Sequence, residues 1–75
     1  MSELAHKVLS DIKKEYGIRI SEGQEPEEAC NFEHIDFSKK YGYDTKVLSE
    51  VLKELKKQGS ITLYITDDFV LEEVD

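Results

Sequence analysis

Between Asp44 and Gly59 the apolar residues Val47, Leu48, Val51, Leu52 and Leu55 recur three and four apart. At about 100° per residue this spacing gathers them on one side of a helix, so the rest of the chain must supply a surface to cover them. Asp44 stands where a carboxylate caps the first turn, and Gly59 where a left-handed residue ends the last one. The opposite side carries Lys46, Ser49, Glu50, Lys53, Lys56 and Lys57, four bases to one acid. Lys56 and Lys57 also meet the negative end of the helix dipole, which is a structural reason for their presence independent of any partner.

Part of the cover follows directly. Ile61, Leu63 and Ile65 alternate with Thr62, Tyr64 and Thr66, the period of a strand with one packed face. A three-residue loop, Thr66-Asp67-Asp68, sets Phe69 and Leu71 opposite Ile65 and Leu63, whereas a two-residue loop would bring Glu72 among the apolar side chains. The odd loop is therefore expected, with fraying over 72–75.

The remaining cover comes from upstream. Leu4, Ala5, Val8, Leu9, Ile12 and Tyr16 form a second helical stripe, which Gly17 is expected to stop before a very short strand at Ile18-Arg19-Ile20. Asp36 is expected to cap a short helix in which Phe37 and Tyr41 share a face, with Gly42 ending it and Tyr43-Asp44 making the turn. The intervening residues, about 21–34, are acid-rich and punctuated by Gly23 and Pro26. Too few apolar residues lie there to define a buried face, so an exposed loop is expected, with at most one helical turn opened by Pro26.

Seventy-five residues make a single domain, 1–75, and a chain this short buries only about 60% of its unfolded surface, so every element must contribute to one core. No apolar run approaches the roughly 20 residues of a membrane span, and Met1-Ser2-Glu3 lacks the layout of a secretion signal; a soluble cytoplasmic protein is expected. The net charge of −7 opposes bulk attraction to nucleic acid, but its distribution is uneven. Residues 21–37 hold six acids and no base, and 67–75 hold five acids, whereas 38–58 hold six bases and three acids.

Helix, tiny strand, short helix, turn, long helix and hairpin is an order that resembles the winged helix-turn-helix superfamily, an α+β fold of three helices with a C-terminal β-hairpin wing. Ile35-Asp36-Phe37-Ser38-Lys39-Lys40-Tyr41-Gly42-Tyr43-Asp44 looks like its strand end, second helix and turn. Val47 to Ile61 is similar to its recognition helix running into the wing, and 21–34 looks like an insertion. The resemblance implies a small DNA-binding protein, a transcription regulator whose third helix enters the major groove of duplex DNA. It assigns Lys46, Ser49, Glu50 and Lys53 to face bases, and Lys39, Lys40, Lys56 and Lys57 to meet phosphates. Asp67 and Asp68 depart from that pattern, because acids at a wing tip repel phosphate.

That departure keeps a second reading open: an acidic protein-interaction module or inhibitor that meets a basic partner surface through Glu25, Glu27, Glu28, Asp67 and Asp68, with Tyr43 and Tyr64 as aromatic contacts. A homodimer is admissible under either reading. Cys30 and His34 lie four apart with Glu27 and Glu33 nearby, but no second cluster completes a metal site, so a small buried thiol and an exposed imidazole are expected. The four glycines are scattered at element ends and make no phosphate-cradling loop. No enzyme activity, metal or cofactor is expected.

Overall fold

A computed structural model describes residues 2–72 as four helices and one three-stranded antiparallel sheet. In chain order these are α1 (Glu3–Ser21), α2 (Pro26–Ala29), β1 (Asn31–Phe32), α3 (His34–Tyr41), α4 (Thr45–Lys57), β2 (Ile61–Leu63) and β3 (Phe69–Leu71).

The α4 stripe is buried largely as its spacing requires. Leu48, Val51, Leu52 and Leu55 are buried, while Val47, at the margin of the stripe, stays exposed. They pack against Ala5, Val8, Leu9 and Ile12 of α1 and against Ile61, Phe69 and Leu71 of the sheet. Asp44 caps α4 as expected, its carboxylate accepting from the N–H groups of Lys46 (3.1 Å) and Val47 (3.2 Å). At the far end Gly59 adopts φ +81°; its N–H donates to Lys56 O, and Ser60 N–H donates to Leu55 O. This is a Schellman closure, with glycine at the position where a Cβ is most costly.

The first helix does not stop at Gly17. It runs to Ser21 and closes with the same pair of bonds at Gly23 (φ +96°): Gly23 N–H to Ile20 O and Gln24 N–H to Arg19 O, both 3.0 Å. The expected strand at 18–20 is therefore helix. A glycine inside a helix costs only about 1 kcal/mol, and the additional turn carries Arg19 to where its guanidinium donates to Ala29 O (3.2 Å) and Asn31 O (2.6 Å) and lies over the Phe32 ring.

The segment expected as an exposed loop is partly ordered. Pro26 opens the one-turn α2, whose Ala29 is fully buried, and Asn31–Phe32 then forms β1. Phe32 pairs with Phe69 in register, their rings stack at 5.1 Å, and the Phe37 ring meets both edge-on at 5.8 and 5.7 Å. These three rings join β1, α3 and β3. Aromatic pairs in such arrangements add about 0.5–1.5 kcal/mol each beyond their buried area.

The hairpin keeps an odd loop and the expected packed face but shifts along the chain. Leu63 pairs with Phe69 and Ile61 with Leu71, so the loop is Ile65-Thr66-Asp67. Tyr64 O accepts from Asp67 N–H, Tyr64 N–H donates to Asp68 O, and Asp67 takes φ +69°. A tight turn followed by one left-handed residue is the common three-residue hairpin loop, and Asp tolerates that conformation better than most residues. Ile65 is fully exposed as a result (103%). Of the tail expected to fray, 73–75 lie outside the described residues; Glu72 is tied through its N–H to Ser60 O and through its carboxylate to Thr62 Oγ1.

Candidate nucleic-acid interface

Lys46, Glu50, Lys53 and Lys57 fall within about 60° of one another around α4, opposite its buried side, and all four are exposed. Lys46 to Lys57 spans about 16 Å of helix at 1.5 Å per residue. Glu50 lies 3.9 Å from Lys53, an exposed pair of little energetic weight that leaves the stripe net positive. Lys56, also exposed, sits on the flank toward Ser49.

The remaining acid of α4 turns away. Glu54 accepts from Ser2 N–H (2.8 Å) and Ser2 Oγ (3.2 Å), and the Ser2 N–H holds its carboxyl below the usual range. Glu54 thus marks where α1 begins beside the lysine-rich end of α4. The 19 residues of α1 rise about 28 Å from there. That is most of the molecule's 31 Å length, so the exposed Glu22, Glu25, Glu27 and Glu28 follow the opposite end of α1.

Another lysine assigned to a partner, Lys40, is exposed but paired with a buried carboxylate of the fold. Lys40 reaches Glu15 at 3.0 Å, and Glu15 (6% exposed) also accepts from Tyr41 Oη at 2.8 Å and lies 3.4 Å from Arg19. Burial alone would raise the Glu15 pKa, but the bonds from Lys40 and Tyr41 outweigh it and hold the carboxyl below its ordinary value. The same burial, together with the bond to Glu15, pushes the Tyr41 phenol up to about 12. Lys39, beside it on α3, is exposed.

Ser49, assigned to face bases, is half-buried. Its hydroxyl donates to Asp67 Oδ2 at 3.0 Å and lies 3.3 Å from His34 Nε2, which also lies 3.2 Å from Thr45 O. Asp68 Oδ1 accepts from His34 N–H at 3.0 Å and caps the first turn of α3, where Asp36 was expected to do so. The helix starts three residues earlier, at His34 in place of Phe37, with Glu33 before it, and a distant carboxylate accepts from its first N–H. The two acids of the hairpin therefore fold back onto α3 and α4. The expected exposed imidazole of His34 is buried (6% exposed), while the Cys30 thiol is half-buried.

Tyr43 is engaged as well. Its ring stacks on Phe37 at 6.0 Å, its hydroxyl donates to Asp11, and Lys7 donates to that hydroxyl at 3.0 Å. Tyr64 is 54% exposed at the hairpin end. Among the described residues no group of three His, Cys, Asp or Glu is arranged to hold a metal, and no helix is long and apolar enough to cross a membrane. No protein family, curated protein or solved structure matches the chain.

Sequence reasoning missed Phe32, Glu15 and His34 as organising residues. Two-residue β1 is too short to show alternation, and the bonds of Glu15 and His34 reach partners 11 to 34 residues away. Only the position of Glu15 on the flank of the apolar stripe of α1 signals burial.

Proposed function

We propose that this protein is a small winged-helix DNA-binding protein, a transcription regulator whose α4 meets duplex DNA. The observation that carries the reading is the exposed Lys46-Lys53-Lys57 stripe, set against the buried side of α4 while the glutamates of 22–28 stand at the other end of α1. The element order supports it, with the tiny strand at 31–32 and α2 as an added turn before it. The inward ties of Asp67 and Asp68 support it too, since they direct the two hairpin carboxylates toward Ser49 Oγ and His34 N–H.

In this reading α4 lies along the major groove, which admits a helix. Lys46, Lys53 and Lys57 meet phosphates on its walls, with Lys39 and Lys56 at the margins. Each contact releases condensed counterions, so affinity falls as salt rises. Changing Lys46, Lys53 and Lys57 together to glutamate should abolish duplex binding in an anisotropy titration at low salt while the circular dichroism spectrum is kept. Unchanged binding by that variant overturns the reading.

One observation favours a second reading. Glu25, Glu27 and Glu28 crowd an exposed single turn, which suits a basic protein surface steered by charge. Neutralising those three should then weaken capture of the partner and flatten its salt dependence; retention at full strength excludes it.

A further inference from the structure

We infer that α4 reads the DNA backbone and not the base sequence, so that the partner class is duplex DNA of any sequence. The inference rests on the proposed DNA contact and asks which side chains remain able to discriminate bases.

Base recognition in the major groove is most selective through forked side chains, arginine on guanine and asparagine or glutamine on adenine, while lysine on guanine, a carboxylate on cytosine and a hydroxyl on any base are the simpler contacts. The chain has one arginine, one asparagine and two glutamines. Arg19 is turned inward, bonded to Ala29 O and Asn31 O, paired with Glu15 and laid over Phe32. The Asn31 amide donates to Glu27 O. Gln24 follows α1 within the acidic segment, and Gln58 caps the C-terminal end of α4, whereas a recognition helix reads with its N-terminal residues.

Near that N-terminal end two small hydroxyls could meet any base: Ser49 donates to Asp67 and abuts His34, and Thr45, exposed on the first turn, offers a single unforked contact. The stripe facing outward is left with Lys46, Glu50 and Lys53, in which the Glu50 carboxylate, 3.9 Å from Lys53, is the one acidic group. A lysine ammonium is a compact point charge on a flexible stem, suited to any phosphate it can reach. Such an array supplies counterion release without the geometric selection of a fork.

The test uses the full chain and a library of short duplexes with a randomised centre. Bound and unbound fractions are separated at low salt and sequenced, in parallel with a salt titration of the whole pool. The expected result is retention of the pool with base frequencies unchanged, a log–log salt slope of about −2 to −4, and a uniform loss across the pool for Lys46→Gln.

Enrichment of a motif by more than about fivefold at any position, the least that one forked contact provides, overturns this inference while leaving DNA binding intact. So does a Lys46→Gln loss confined to some sequences. Retention of no duplex at all overturns the DNA reading itself, and this inference with it.

Discussion

The outer side of α4 and the hairpin loop at 64–68 are both charged, yet the fold treats them in opposite ways. On α4, Lys46, Lys53 and Lys57 project from a helix capped by Asp44 and closed at Gly59. In the loop, Asp67 binds the Ser49 hydroxyl and Asp68 caps α3, while the apolar Ile65 is left at the tip. Lys40 belongs with the second group, its charge committed to Glu15. Formal charge counted along a sequence therefore overstates what a partner meets. A charge is fully available only where no buried group of the fold depends on it, which separates Lys53, beside the exposed Glu50, from Lys40, beside the buried Glu15.

The comparison can be broken hardest through the floor that both regions share. Phe69 is 1% exposed and stacks on Phe32, so Phe69→Ala should cost about 3–5 kcal/mol in urea unfolding. A loss below about 1 kcal/mol would mean that the hairpin is not seated on the core.

Next comes the committed charge of the α1–α3 joint. The folded state holds the Tyr41 proton more tightly than the ordinary 10.0, up to about 12, so this contribution is fully present below pH 10 and is lost as pH rises toward 12. Tyr41→Phe should remove that part of the alkaline decline in melting temperature; an identical alkaline profile in the variant contradicts the joint. Glu15 acts in the opposite window, its depressed pKa giving stability above the ordinary carboxylate range that is lost as pH falls.

Asp68→Ala removes the cap of α3 and should cost about 1 kcal/mol, against under about 0.5 kcal/mol for Lys46→Gln, whose exposed side chain makes no hydrogen bond or ion pair among the described residues. Equal losses would erase the distinction between spent and available charge. Between these, Gly17→Ala should stabilise by about 0.5–1 kcal/mol, because the site is helical and open space surrounds a Cβ there. Destabilisation would restore Gly17 as a helix end.

What the sequence made legible was local. The stripe of α4, its cap at Asp44 and its stop at Gly59 all depend on residues within one or two turns, and the packed face of the hairpin follows from alternation. What it hid was nonlocal. Gly17 and Gly23 are both plausible helix ends, and only the anchoring of Arg19 beyond Gly17 decides between them. The strand at 31–32 exists because β3 offers a partner, and the register of the hairpin follows from Asp67 taking the left-handed position, which leaves Asp68 to reach α3. The candidate site was legible as a stripe of lysines; that Ser49, Lys40 and Tyr43 are engaged elsewhere was not.

The central claim is that the outer side of α4 is the surface DNA touches. Backbone amide shifts of the full chain, followed during titration with duplex DNA at low salt, test it most directly. The account predicts progressive changes concentrated between Lys46 and Lys57, with 22–28 unmoved. Changes centred on the glutamates of α2, or none anywhere at saturating duplex, would contradict it.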